Sequence, residues 1–540
     1  RVLLSRAPQP FPSLDEIVKA DSFLGIIITT LSSAKTPALR REVCDTLQEL
    51  ASSSADLARV ANLVSQLNAF EERRIDEPDF ERRLGAFAEL EHTDLQEMRA
   101  VGLQVLLSNF TFFMQDAEEA SIRSNAAALL QRFSKEVVAK DDASPINRQM
   151  FASVVIPAIK RAQRSGAEAV RREGLQLLAS VVKLTTHMQN LRELKPLLAE
   201  GDEEASFFYN VFHIQIHRRI RAFQRLASYA DQGFFGNGAV VEYLLPIIEQ
   251  TIAESDKNSA GHNLLSEAIR ALGRVSARLR WGSYFGLLNK YLRQVKDRSS
   301  EERPMVRSVL SILEAFPFEL RENATTADST DSKGSASHQD KGALAQVKSS
   351  IIPTLLDHLD QDAKAEDHVR LPIAMGVVYI VRKLPAEDQS PIVVNLFRSL
   401  SNILKAKAQE TRDIAREMVL KVQAALSPSY LPVLVREMHK TLTRGTQKAT
   451  LAYVVHAILV QFESGASDTA LQSNVVKEIA EVALEDLFGL VAEDRITAAG
   501  KHKAREMKQS KSLDTVELLG RCSSPRALRS IFETLEKALC

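Results

Sequence analysis

The sequence predicts an all-α fold, a solenoid of stacked helix pairs, and three observations carry that expectation. Gly and Pro are sparse, 21 and 18 in 540 residues, while Leu, Ala, Glu, Arg and Lys recur at helical spacing. An apolar residue, then Arg, then a small or apolar residue three positions on opens one amphipathic stretch after another: Met98-Arg99…Gly102, Ile122-Arg123…Ala126, Val170-Arg171…Gly174, Val306-Arg307…Leu310 and Val369-Arg370…Ile373. Proline stands near the start of further helices, in VVIPAIKRA (Pro157), LLPIIEQTI (Pro246), IIPTLLDHL (Pro353) and YLPVLVREM (Pro432). There its missing N–H costs little, because a first turn has no partner for that donor. Pro353, Pro391 and Pro432 lie 38 and 41 residues apart, the two-helix period of HEAT-type repeats. The expected architecture is therefore a HEAT-type α-solenoid, a right-handed superhelix of helix pairs.

Composition agrees. With 45% hydrophobic, 26% charged and 6% aromatic residues the chain is globular in character, and single compact domains rarely grow to this size, which favours an extended array. A repeat of this kind cannot hide its apolar face alone, so it stacks on its neighbours and leaves long surfaces for partners. Lys+Arg and Asp+Glu balance at 69 each, so any nucleic-acid contact must come from local patches and not from a global field. Cys44, Cys522 and Cys540 stand far apart without C-x-x-C spacing, which supports neither a disulfide framework nor a zinc site and suits a reducing compartment. No apolar run approaches the roughly 20 residues of a membrane span. The sequence opens on Arg1 with no signal-peptide pattern and reads as a piece of a longer protein. Asn323 to Gln346 turns polar and low in complexity, a flexible insertion between two runs of repeats, and Lys140 to Asn147 reads as a loop between helices.

The densest cationic segment is YNVFHIQIHRRIRAFQRLA, Tyr209 to Ala227. At 100° per residue Phe212, Ile216, Ile220, Phe223, Leu226 and Ala227 gather on one side, and Arg218, Arg221 and Arg225 fall opposite with His217 near them. Guanidinium groups on successive turns are spaced to grip backbone phosphates, a contact that fixes position without reading sequence. The bland alternative is a solvated face neutralised by Asp202, Glu203 and Glu204. Arg219 projects toward the apolar flank and belongs instead with Arg99, Arg123, Arg171, Arg307 and Arg370, a structural ladder of Asp–Arg contacts between neighbouring repeats, with Glu203 or Glu204 as its partner. His213 and His217 lack a third ligand, so no metal site is expected.

In RLRWGSYFGLLNKYLRQVK, Arg278 to Lys296, the aromatic residues Trp281, Tyr284, Phe285 and Tyr291 form a core stripe with Leu288. Lys290, Arg293 and Lys296 are left to touch RNA from the outer face. Lys501, Arg505 and Lys508, at i, i+4 and i+7, make a basic stripe that is either an RNA-touching extension or a loosely ordered, solvated helix.

These stretches resemble a known family, the very large HEAT-repeat scaffold of the nucleolar small-subunit processome, whose defining domain is named "down-regulated in metastasis". The resemblance rests on the Tyr209 to Ala227 segment together with LNAFEERRIDEPDFERRLGAF (Leu67 to Phe87), Arg278 to Lys296 and EAFPFEL (Glu314 to Leu320), in the family's order. RLPIAMGVVYIVRKLP (Arg370 to Pro385) and SYLPVLVREMHKTLTRGTQ (Ser429 to Gln447) are similar to its later repeats. The division expected is helical repeats with a weak match over 1–66, signature-bearing HEAT repeats over 67–322, the insertion 323–346, further repeats over 347–470 and C-terminal helices with a basic stretch over 471–540.

The resemblance implies a non-catalytic scaffold of the nucleolar precursor of the small ribosomal subunit, in the nucleus. Its partners would be pre-rRNA, small nucleolar RNA and other processome proteins, with no membrane, no small-molecule substrate and no cofactor. No G-x-S-x-G, H-E-x-x-H or phosphate-loop pattern appears, and QGFFGNGA, with Gly233, Gly236 and Gly238, is most simply a turn between helices. Two rival readings share the architecture: a karyopherin-like transport receptor, and a HEAT scaffold for a phosphatase or kinase.

Overall fold

A computed structural model describes residues 23–51, 55–71, 77–138, 144–185, 188–199, 201–202, 205–255, 261–296, 302–320, 342–362, 368–464, 471–497 and 505–539. The chain divides into two compact units, Arg1–Ala271 and Leu272–Cys540. In the first, the helices of eight residues or more are α1 (Phe23–Ser33), α2 (Pro37–Ala51), α3 (Ala55–Leu67), α4 (Phe80–His92), α5 (Ala100–Phe113), α6 (Ala120–Phe133), α7 (Ile156–Gln163), α8 (Glu168–Leu184), α9 (Ile216–Asp231) and α10 (Leu245–Ser255), and α11 (His262–Ser276) carries the division. The second holds α12 (Trp281–Lys296), α13 (Glu302–Glu314), α14 (Ile352–Asp362), α15 (Ile373–Val381), α16 (Ala386–Ile403), α17 (Gln409–Ala425), α18 (Leu431–Thr441), α19 (Thr446–Ser464), α20 (Ser473–Phe488), α21 (Leu490–Thr497), α22 (Ser512–Cys522) and α23 (Pro525–Leu539).

Each unit is a solenoid of paired helices. In the second, α14, α16, α18 and α20 pack in succession as one row, and α13, α15, α17, α19 and α22 as the other, with α14·α15, α16·α17 and α18·α19 as cross-pairs. In the first, α4, α6 and α8 stack in sequence while α3 packs on α5. No strand forms among the described residues, only the isolated bridges Phe70–Pro78 and Leu471–Ser523. In α15 the packing is closed on nearly every side, with Ile373, Val377, Val378, Ile380 and Val381 all buried, and burial of such side chains contributes roughly 1.5–3 kcal/mol apiece.

The prolines behave differently from the sequence expectation. Pro157, Pro246 and Pro353 are second residues of α7, α10 and α14, but π-helical turns at Phe151–Val155, Val240–Leu244 and Val347–Ile351 run directly into those helices. All three are therefore interior to longer helical runs. A proline ring in a helix collides with the carbonyl four residues back, and widening the preceding turn to i→i+5 pairing relieves that clash. Pro432 does sit in a first turn, whereas Pro391 lies inside α16. Of the insertion expected at 323–346, residues 323–341 lie outside the described residues. Ala343–Gln346 is helical, and the Gln346 amide oxygen accepts from Trp281 Nε1 at 2.6 Å.

Buried arginines secure the turns between helices, and their partners correct the expected Asp–Arg ladder. Arg123 donates to the Asp116 and Ala117 carbonyls at 2.8 and 3.4 Å, and Arg171 to those of Ser165 and Gly166 at 2.7 and 2.9 Å. Both reach back to the carbonyls left unpaired by the preceding turn, where a bound donor is worth most. At two of the buried positions a Glu joins: Arg171 pairs with Glu254, and Arg370 pairs with Glu302 while donating to the Gln361 amide at 2.8 Å and the Val295 carbonyl at 2.7 Å. Arg99 makes an Asp–Arg contact of the expected kind, but at the surface. Arg99 is exposed and meets an equally exposed Asp56 at 3.1 Å, a pair worth little in water, and Arg307 lies on an exposed face.

Sequence reading missed several members, Arg40, Arg132 and Arg412 among them. Arg40, in the same Leu39-Arg40…Val43 pattern, donates to Leu31 O at 2.8 Å, Ala34 O at 3.0 Å, Asn68 at 2.7 Å and Asn109 at 3.1 Å, and burial holds its pKa down to about 10. Asn109 is wholly buried in this network. Arg132 of α6 caps α4 through the Leu90, Glu91 and Thr93 carbonyls at 2.9, 2.7 and 2.8 Å. Arg412 has no apolar residue before it and so escaped the pattern. It donates to Glu506 Oε1 and Oε2 at 3.0 and 3.2 Å and to the Ala406 and Lys407 carbonyls at 3.0 and 2.8 Å.

Candidate nucleic-acid interface

In the first unit the cationic segment begins with a turn. The His213 ring Nδ1 accepts from the Gln215 N–H at 3.0 Å, which leaves Ile214 92% exposed and starts α9 at Ile216. Phe212 is buried, but in the turn ahead of the helix, and the Arg171 guanidinium lies 5.7 Å from its ring centre. Ala222, Phe223, Leu226, Ala227 and Ala230 form the packed stripe of α9, while Ile216 is exposed and Ile220 half-buried.

The expected row of three anion-facing guanidiniums is reduced by this packing. Arg225 is half-buried and donates from one terminal nitrogen to the Ala205 carbonyl, which ties the side chain to the preceding turn. Arg218 is half-buried and has a partner within the chain. Arg221 and His217 are the exposed members. Arg219 is half-buried with Nε donating to the Val211 carbonyl at 3.0 Å; burial lowers its pKa, offset by Glu168 and Glu254. The proposed partners Glu203 and Glu204 lie outside the described residues. At the far end of α9 the backbone reverses at Gly233, φ +83°, a conformation that costs glycine least. Gly236 N–H then donates to Glu193 at 2.8 Å, and a Cβ at Gly238 would stand 2.5 Å from the Asn190 amide, which would have to shift to admit it.

The second unit presents a cleaner division. On α12 Trp281, Tyr284, Leu288 and Tyr291 are buried, and Phe285 is half-exposed. Trp281 stacks against Tyr284 and Phe285 with ring centres 6.2 and 5.7 Å apart, and meets Phe316 and Phe318 of the EAFPFEL segment edge-on at 6.4 and 5.1 Å. The Tyr284 hydroxyl donates to the Ile312 carbonyl at 2.8 Å, and burial pushes its pKa well up. These rings are used in holding α12 to α13, so stacking on bases is not their role. The other side of α12 carries Lys290, Arg293 and Lys296, all exposed, with Arg278 and Arg280 exposed ahead of the helix.

The described part of the C-terminal basic stretch, from Glu506 on, is anchored. Glu506 is buried against Arg412, Met507 packs with Ala449 and Val491, and the Ser510 and Ser512 hydroxyls both donate to Asp486 at 2.6 Å. Lys508 is exposed; Lys501 lies outside the described residues, as does the side chain of Arg505. No cluster of His, Cys, Asp and Glu suited to a metal ion occurs among the described residues, and no described helix is long and apolar enough to cross a membrane. Cys44 is buried, and burial pushes its thiol up to about 12, so it acts as a small apolar side chain.

Residues 3–167 match the family model for the N-terminal part of U3 small nucleolar RNA-associated protein 20, and residues 360–540 match the model for that protein's domain. The chain belongs to the U3 small nucleolar RNA-associated protein 20 family. A member from Schizosaccharomyces pombe is 27% identical over 516 residues, 93% of this chain and 20% of the relative. One from Saccharomyces cerevisiae is 28% identical over 485 residues, 89% of this chain and 19% of the relative. The chain thus spans about a fifth of the length of these family members. Among solved structures, an engineered protein covers 94% of this chain at 13% identity and a karyopherin, Kap121p bound to Ste12p, covers 90% at 12%, with TM-scores of 0.28 that carry no argument about function.

Proposed function

We propose that this chain is a length of a non-catalytic scaffold of the small-subunit processome, acting in the nucleolus in maturation of the small-subunit rRNA. Its relatives are named for association with U3 small nucleolar RNA, and an array of stacked helix pairs works by presenting surface. The observation that carries an RNA-contacting role is the outer face of α12, where Lys290, Arg293 and Lys296 stand on one exposed side of a helix locked in place by five packed rings. Such a face meets phosphates without reading bases. Arg221 and His217 of α9 and Lys508 are secondary contacts in this reading; Arg225, already bonded to a carbonyl, is not one. Assembly proteins of the same particle would occupy other surfaces of the repeats.

The test is recovery of RNA with the tagged full-length protein from nucleolar extract. Pre-rRNA and U3 small nucleolar RNA should be enriched, and Lys290→Glu/Arg293→Glu/Lys296→Glu should lower their recovery severalfold at unchanged protein level. Recovery of a small GTPase with cargo, or of a phosphatase or kinase, in place of processome proteins would overturn the reading.

A further inference from the structure

The helix that carries Pro157 was read from sequence only as a repeat element, yet it lines a cavity of about 560 Å³ whose remaining walls come from Gln115, beyond the end of α5, and Ser165. That volume lies inside the roughly 300–1,000 Å³ typical of small-ligand sites. Pro157, Lys160, Arg161 and Arg164 are spaced i, i+3, i+4 and i+7, so one face of α7 and its C-terminal turn supplies a ring and three cations to the same hollow. Lys160 is paired with Glu242 at 3.1 Å. Arg161 and Arg164 are exposed and meet no carboxylate among the described residues.

Two further features suit the hollow to a ligand with acceptors. The Gln115 Nε2 is sealed from solvent and has no hydrogen-bond partner among the described residues. A buried amide donor left unpaired costs about 1–3 kcal/mol, and a turn of the Gln115 side chain toward an acceptor in the cavity would remove that cost. The rim is also fixed in advance: buried Arg171 holds the Ser165 and Gly166 carbonyls at 2.7 and 2.9 Å, so the turn bearing Ser165 cannot collapse inward. The end of α7 is the negative end of its dipole, so anion selectivity rests on the two guanidiniums and not on the helix.

We propose that this cavity binds one unpaired nucleotide of a single-stranded RNA segment, with its phosphate forked by Arg161 and Arg164 and its base seated against Pro157 within reach of the Gln115 amide. A duplex offers phosphates but keeps its bases stacked, whereas an unpaired base can be splayed out and hydrogen-bonded on its edge. A second cavity, in the other unit, makes the contrast: it is lined by Arg398, Lys405 and Lys407 but also by Asp360, which accepts from the Ser399 hydroxyl, so its charge is mixed. The proposal rests on the scaffold reading only for the presence of RNA; the cavity's anion chemistry stands without it.

The test measures affinity of this 540-residue chain for a 12-nucleotide oligouridine, an RNA duplex of equal length and a phosphoserine peptide across a salt series. Arg161→Glu/Arg164→Glu should weaken oligouridine binding roughly 10- to 100-fold and flatten the log–log salt slope by about 0.7, the value for one phosphate contact on a single strand. Gln115→Ala should weaken it about threefold to tenfold with the slope unchanged. Arg161→Gln/Arg164→Gln repeats the test if the reversal disturbs folding. Wild-type affinity in both double variants, equal losses for duplex and single strand, or tighter binding of the phosphopeptide than of oligouridine would each overturn the proposal. Incorporation of the tagged full-length protein into precursor particles is scored separately: its failure sinks the scaffold reading, whereas oligouridine binding decides the cavity.

Discussion

Arg370 and Arg293 are the same residue in the same unit, and the molecule uses them in opposite ways. Arg370 is 1% exposed, and its guanidinium is divided among Glu302, Gln361 and Val295; Arg293 stands in solvent on α12 beside Lys290 and Lys296. The first unit repeats the contrast with Arg171, buried against Glu254 and two carbonyls, and Arg161, which is exposed on a cavity rim. A guanidinium at the start of a helix that faces the preceding turn finds unpaired carbonyls and becomes structural. One on an outer face is held by surface contacts at most and is open to a partner. Arg225 warns that position on a helical wheel does not separate the two, because a neighbouring turn supplied the carbonyl of Ala205 to a face that looked open.

Removing the buried class should cost most. Arg370→Leu leaves Glu302 without its cation and the Val295 carbonyl without a donor, and should destabilise the second unit by about 3–5 kcal/mol in urea unfolding. If the loss is below about 1 kcal/mol, the ladder is ornamental. Glu506→Gln keeps shape but removes charge opposite Arg412, with about 2 kcal/mol expected at pH 7.

The Glu506 pair also makes a pH prediction. Burial raises its pKa, but the Arg412 and Gln409 hydrogen bonds and the Arg412 charge outweigh that, and the net value falls below the ordinary 4.5. The unfolded chain therefore binds more protons in that interval. The pair's contribution is complete above pH 4.5 and is lost as pH falls through the folded-state value. The stability gap between wild type and Glu506→Gln should close in acid and stay constant between pH 6 and 8.

Trp281→Phe, which keeps a ring but loses the bond to Gln346, should cost about 1 kcal/mol in thermal unfolding, plus a smaller packing term. Arg225→Ala should cost on the order of 1 kcal/mol and Arg221→Ala less than about 0.5 kcal/mol, so a denaturant titration that ranks them the other way would reverse their assignment. The triple reversal of Lys290, Arg293 and Lys296 should leave stability within about 0.5 kcal/mol while changing RNA recovery. A large loss of stability there would move α12 into the structural class.

Much of the architecture was legible from the chain. Helical spacing of apolar residues placed Trp281, Tyr284, Leu288 and Tyr291 in the buried stripe of α12, included the half-exposed Phe285 and left out Leu287, Leu292 and Val295, and the Arg-at-helix-start pattern picked out Arg123, Arg171 and Arg370. It also selected Arg99, which sits exposed, because the pattern records a helix start and not what lies across from it. Proline position gave the helices but not the π turns ahead of Pro157, Pro246 and Pro353, since an interior proline and a first-turn proline look alike in a short window. The Pro157 cavity could not be read, as Gln115 and the α7 face belong to different helices and meet only by packing.

By itself the sequence determined the periodicity, the scarcity of helix breakers, the balance of charge and which residues carry cations, all of them local properties set within a few turns of helix. Only the tertiary structure decided which cations are used up. Arg171 reaches Glu254 across 83 residues, Arg370 reaches Glu302 across 68 and Arg412 reaches Glu506 across 94. Separations of that size are closed by the stacking of helices, whose order in space no short-range rule of spacing contains.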